Sequence, residues 1–160
     1  RFGFRWPERT FSEPPPLLCC ARDRPSKPGS VYNADFTLEK TYAQALMSSF
    51  KAEPDGAVQF GVLQFTHQVH EFAPLTRGVV RLEALSQLGG GTNIGDALLA
   101  SARQLSAVDD EPKTKRVVVL LTDGHGSGPI EEGIQALSKL EARVFAVGIG
   151  HGVDERQLLH

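Results

Sequence analysis

Cysteine is nearly absent from this chain. There are two in 160 residues, and they are neighbours, Cys19-Cys20. That spacing excludes a disulfide framework and a zinc signature, because adjacent cysteines bridge each other only under strain. Charge of one sign is lacking too. Lys and Arg number 17 against 19 Asp and Glu, for a net charge of -2, so nucleic acid is not indicated as a partner. No apolar run reaches the length of a membrane span, and no long apolar stretch follows Arg1 and Arg5 as a signal peptide requires. There is one Trp and one Met. What remains is a composition suited to one domain of ordinary size.

Proline is unevenly spread. Six of the ten fall at positions 7, 14, 15, 16, 25 and 28. Proline removes a backbone donor and restricts the residue before it, so residues 1–30 are expected to be a loose segment. Leu17 to Ala21 is its only apolar run, enough for at most a short strand.

The stretch Arg116–Gly124, RVVVLLTDG, organises the rest. Val117 to Leu121 is apolar without interruption, as a strand buried on both faces is. It stops at Thr122-Asp123-Gly124. A carboxylate there lies just past the carboxyl end of a central strand, where open α/β sheets place their ligand crevice; an Asx-type turn would need the same residues. Upstream, Phe36, Ala43, Leu46, Met47 and Phe50 repeat at helical spacing, which predicts a helix over 34–51 with Asn33 as its cap. Pro54-Asp55-Gly56 is a turn. Residues 57–65 alternate as a strand, and 68–72 form a second one close behind, hence an antiparallel hairpin with His67 and His70 on its surface. Val79, Leu82 and Leu85 predict a helix over 78–88. Another is predicted over 93–106, with Ile94, Leu98, Ala102 and Leu105 inward. After Pro129 comes a helix burying Ile134, Leu137 and Leu140, then a buried strand over 143–149, then the start of a helix at 154–160 that the chain leaves incomplete. Buried strands alternating with helices predict an α/β fold: an open, mostly parallel, doubly wound sheet with helices on both faces and an antiparallel edge strand.

Two loops meet at one end of such a sheet. Gly89-Gly90-Gly91-Thr92-Asn93-Ile94-Gly95 opens a helix, as phosphate sites do. Yet Asp96-Ala97 stands where a P-loop needs Lys and Ser or Thr, and Ile94 where a dinucleotide fingerprint needs Gly. Thr92 and Asp123 offer hard oxygens suited to Mg²⁺ or Mn²⁺. Asp123, His125 and Ser127 make a hydrolase triad on paper only, since no G-x-S-x-G elbow is present. A small α/β hydrolase or nucleotide-binding protein is therefore the minor reading.

GGGTNIGDAL at 89–98, KRVVVLLTDG at 115–124 and RVFAVGIG at 143–150, behind VQFGVLQFTHQVHEF at 58–72, together resemble the von Willebrand factor A domain, called the I domain in integrins. The resemblance covers residues 31–160, from the family's first helix to the start of its last, and so implies a domain cut short at its C-terminal side. It implies a non-enzymatic adhesion or extracellular-matrix module, extracellular, that binds a protein ligand with an acidic contact residue through a divalent ion. The ion would be Mg²⁺ or Mn²⁺. Carried over by motif, Thr92 and Asp123 match the metal-site threonine and aspartate, and Ser30 the last serine of Asp-x-Ser-x-Ser. Here that motif reads Ser26-Lys27-Pro28-Gly29-Ser30, which lacks the aspartate and the middle serine. The apolar first strand expected before it is absent, Leu17–Ala21 being a poor substitute, so residues 1–29 read as foreign to the family's N-terminus. An incomplete site leaves a metal-independent protein-interaction domain as the alternative.

Overall fold

The structure is a computed structural model and describes residues 16–21, 31–50, 58–107, 115–122 and 126–149. In chain order these form β1 (Pro16–Ala21), α1 (Val31–Ser49), β2 (Gln59–Phe65), β3 (Val69–Arg77), α2 (Ile94–Ser106), β4 (Val117–Thr122), α3 (Ile130–Lys139) and β5 (Arg143–Gly148). One sheet runs in the order β3-β2-β1-β4-β5. β2, β1, β4 and β5 are parallel, and β3 pairs antiparallel with β2 at one edge. This is the open α/β sheet expected from the alternation of strands and helices.

β4 shows why the apolar run is unbroken. Val118 and Leu120 enter one core with Leu63 and Phe65 of β2 and with Ile94, Ala97, Leu98, Ala102 and Leu105 of α2. Val119 and Leu121 enter the other, with Phe60 and Val62 of β2 and Phe36, Ala43 and Met47 of α1. Successive residues of a strand point to opposite faces, and here both faces are covered by helices.

Four expectations need correction. First, the central strand is present. Pro16–Ala21 pairs in parallel with both β2 and β4, Leu18 lying between Val62 and Val119. Residues 16–21 are thus not loose; the rest of 1–30 lies outside the described residues. Proline is tolerated because it stands at the first position of the strand. Second, residues 78–88 do not form a helix. Gly78 (φ +89°) ends β3, and the following backbone is bonded by side chains instead. Lys40 Nζ donates to the Leu85 carbonyl at 3.2 Å and Gln64 Nε2 to that of Ser86 at 2.7 Å, while the Leu82 amide donates to Gln44 Oε1 at 3.3 Å. Leu82 and Leu85 are buried in the α1 core, joined by one turn. Their three-residue spacing looked helical because a single turn repeats it. Third, α1 begins at Val31, so Asn33 lies inside the helix and is not its cap.

Fourth, burial at the β5 side is lower than the sequence suggests. Val144 and Phe145 are 40% and 42% exposed, and Ile134 of α3 is 40% exposed, whereas Leu137 is buried and Leu140 half-buried. β5 is apolar, yet among the described residues it is the last strand on its side of the sheet. β3 is longer than expected, and His67 and His70 are exposed as anticipated. The turn at 54–56 and the helix start at 154–160 lie outside the described residues.

Candidate metal centre

The parallel strands all end on one side of the sheet, and the loop carrying Thr92 sits there between two of them. Its backbone is clamped on both flanks. On the β2 side the Asn93 amide donates to the Thr66 carbonyl at 2.7 Å. On the β4 side the Ser127 amide donates to the Thr92 carbonyl at 2.8 Å, the Ser127 hydroxyl donates to the same oxygen at 3.2 Å, and the Gly95 amide donates back to the Ser127 carbonyl at 3.1 Å. Asn93 and Ser127 thereby form a short parallel bridge. Asn93 also caps α2: its Oδ1 accepts from the Asp96 amide at 3.0 Å, and its Nδ2 donates to Asp96 Oδ2 at 2.7 Å. Asn is among the preferred caps, and an acid in the first turn complements the helix dipole.

Glycine makes the clamp possible. A Cβ on Gly128 (φ +91°) would lie 2.0 Å from Asn93 Oδ1, and one on Gly95 would lie 2.3 Å from the backbone of Pro129. No side chain fits in either place, so the loop after β4 lies directly against the start of α2.

Inside this frame Thr92 is buried, and among the described residues its Oγ1 has no hydrogen-bond partner. Buried hydroxyls are normally satisfied, and leaving one without a partner costs roughly 1–3 kcal/mol. An orphaned hydroxyl at the carboxyl end of a parallel sheet is what a hard-cation ligand looks like before the ion arrives. Thr92 therefore fits the group. Ser30 and Asp123 lie outside the described residues, as does His125; Asp123 follows directly on Thr122, which is buried at the end of β4.

The same geometry weighs against the other chemistries. A phosphate at the start of α2 would need free amides, yet those of Gly95 and Asp96 are spent on Ser127 and Asn93. The Ser127 hydroxyl, a nucleophile on paper, donates to the Thr92 carbonyl. Thr66, Asn93 and Ser127 as clamps were not singled out from the sequence. Asn before a helical run is a readable cap signal, but the bonds from Thr66 and Ser127 span distant segments and leave no local mark.

A family model described as the von Willebrand factor type A domain matches residues 28–160. The collagen alpha-4(VI) chain of Mus musculus is 27% identical over 129 residues, which is 76% of this chain and 5% of that protein. The von Willebrand factor A domain-containing protein 1 of Danio rerio is 32% identical over 149 residues, 85% of this chain and 29% of that protein. This chain thus spans less than a third of either relative. Among solved structures, proximal thread matrix protein 1 from the mussel byssus, with a zinc-occupied MIDAS motif, superposes with a TM-score of 0.68 at 22% identity, covering 92% of this chain and 38% of that one.

Proposed function

Because the chain belongs to the von Willebrand factor type A domain family, we propose that it is a non-enzymatic adhesion or extracellular-matrix module that binds a protein ligand at the carboxyl ends of its parallel strands, outside the cell. The observation that carries this reading is the Thr92 hydroxyl, buried and unpartnered among the described residues in a loop fixed from both sides. Fixing the loop means that little order need be gained when a ligand arrives, which favours binding. The matrix setting is supported by the collagen relatives and by the byssus matrix protein.

Ser30, Thr92 and Asp123 would hold a Mg²⁺ or Mn²⁺ ion, and the ion would supply an open coordination position for an acidic side chain of the ligand. Thr92 offers its hydroxyl, Asp123 the only full negative charge of the set, and Ser30 a second hydroxyl. Affinity for the ion is set low by what the chain lacks: Ser26 and Pro28 stand where the family motif has an aspartate and a serine. That replacement favours a second reading, a protein-interaction domain that works without metal.

Thermal melts of the chain in EDTA, Mg²⁺ and Mn²⁺, beside Asp123→Ala, separate the two. An ion bound to the native state raises the melting temperature with occupancy. A rise in wild type that is lost in the variant supports the ion-dependent module. No rise in either protein supports the metal-independent one. Turnover of ester or nucleotide substrates would overturn both.

A further inference from the structure

We propose that Gly89–Gly91 is a subsite for the main chain of the ligand, an extended peptide segment that lies along this strip while its acidic side chain reaches Thr92. The inference rests on the reading above, in which an acid of the ligand meets an ion at Thr92, and it names how the rest of the ligand is held. Glycine loses more conformational freedom on folding than any other residue, so three in a row need a reason. Gly90 has one: its φ is +135°, and a Cβ there would lie 2.7 Å from His67 Nδ1. Gly89 and Gly91 have none of that kind. Neither has a positive φ, both are exposed, and among the described residues nothing lies within 4 Å of where a Cβ would stand on either. Alanine at such positions stabilises a protein by restricting its unfolded chain. Two bare positions thus forgo stability with no benefit to packing, and what they provide is access for another backbone.

The strip also has backbone groups to offer. Among the described residues no hydrogen bond reaches the amides or carbonyls of Gly89, Gly90 or Gly91. The chain on either side is held: the Ser86 carbonyl accepts from Gln64 Nε2 at 2.7 Å, and the Asn93 amide donates to the Thr66 carbonyl at 2.7 Å. Main-chain bonds to such a segment give a peptide affinity whatever its sequence, and its side chains then supply specificity. Bare glycine alone would not point to a ligand, but Thr92 follows Gly91 directly. Its Oγ1 is the buried hydroxyl without a partner among the described residues.

His67 bounds the strip on the β2 side. Its exposed ring lies against Gly90, and its Nδ1 is 3.4 Å from Thr66 Oγ1. With Nδ1 turned to Thr66 and Gly90, Nε2 is the ring nitrogen left for a carbonyl or carboxylate of the ligand. The turn that carries His67 is fixed, since the Thr66 amide donates to the Gln68 carbonyl at 2.8 Å. The strip is thus tied to the β2 and β3 flank of the sheet. β5, from which the chain continues, is separated from that flank by β1 and β4.

The test titrates the full chain with acetyl-Ala-Ala-Glu-Ala-Ala-amide and, separately, with acetate, each with and without Mg²⁺, following the backbone amides by nuclear magnetic resonance. The expected result is that the peptide moves the Gly89, Gly90 and Gly91 amides, that acetate does not, and that the peptide binds more tightly. Gly89→Leu places a side chain on the strip and should raise the Kd for the peptide by about tenfold or more, with the acetate Kd of wild type. A peptide that leaves the three amides unmoved, or binds no tighter than acetate, overturns the proposal. So does a Gly89→Leu protein that loses acetate as well as peptide, since the glycines would then serve movement of Thr92. Movement of the three amides by the peptide with no need for Mg²⁺ supports the strip and overturns the ion at Thr92, so the two readings fail separately. Wild type alone maps the contact, so a variant that fails to fold still leaves the proposal decided.

Discussion

Replacing Thr92 by Val should stabilise the protein without metal and abolish its response to metal. The substitution is nearly isosteric: it removes Oγ1 and adds a methyl group in a site that is 4% exposed. Since Oγ1 has no partner among the described residues, no hydrogen bond is lost. The desolvation penalty of an unsatisfied hydroxyl, roughly 1–3 kcal/mol, is relieved. For a chain of this size each kcal/mol moves the melting temperature by about 2–4 °C. The assay is thermal denaturation followed by circular dichroism, once in EDTA and once in excess Mg²⁺. In EDTA, Thr92→Val should melt above wild type by a few degrees. In Mg²⁺, wild type should rise and the variant should not. Thr92→Ser keeps the hydroxyl and should keep the ion response, at a cost of about 1 kcal/mol for the lost methyl group. A Thr92→Val protein that melts below wild type in EDTA would refute the premise that the hydroxyl is unpaired. One that keeps the full ion shift would refute its role as a ligand.

Gly133→Ala should destabilise by about 1–3 kcal/mol in urea titration, because its Cβ would lie 2.5 Å from Leu98 Cβ, where α3 crosses α2; the clash outweighs the gain in helix propensity. A stabilised variant would mean that the two helices separate easily. Asn93→Ala removes the cap of α2 and should cost about 1 kcal/mol in the same titration, while also loosening the Thr92 loop, read as faster exchange of the Ser127 amide. Leu137→Ala should cost roughly 2–5 kcal/mol, and Ile134→Ala, three residues before it, under about 1 kcal/mol, since the first is 1% and the second 40% exposed. Equal losses at the two positions would show that something covers Ile134.

Much of the frame was legible because its causes are local or periodic. Val117–Leu121 announces a strand covered on both sides, and α2 announces itself by four inward residues at helical spacing. The metal-site hypothesis, too, could be read from Thr92 and Asp123, each carried by a motif. What sequence decided alone, then, was the kind of element at most places, residues 16–21 and 78–88 excepted, and the end of the sheet where the candidate site lies.

Tertiary structure decided the rest, because distant partners replaced local ones. Residues 78–88 carry a helical spacing but no helix, since Lys40, Gln44 and Gln64 take up the backbone groups that a helix would have paired internally. Pro16–Ala21 reads as a poor strand in isolation, yet it sits between β2 and β4, where neighbours on both sides supply its hydrogen bonds. β5 reads as buried, but among the described residues it pairs on one side alone, and Val144 and Phe145 are exposed. The orphaned Thr92 hydroxyl belongs to this class as well: burial and the lack of a partner depend on how Thr66 and Ser127 hold the loop. Periodicity records which side chains turn inward along one segment. Only the packing of segments against each other determines which polar groups are satisfied and which are left without a partner.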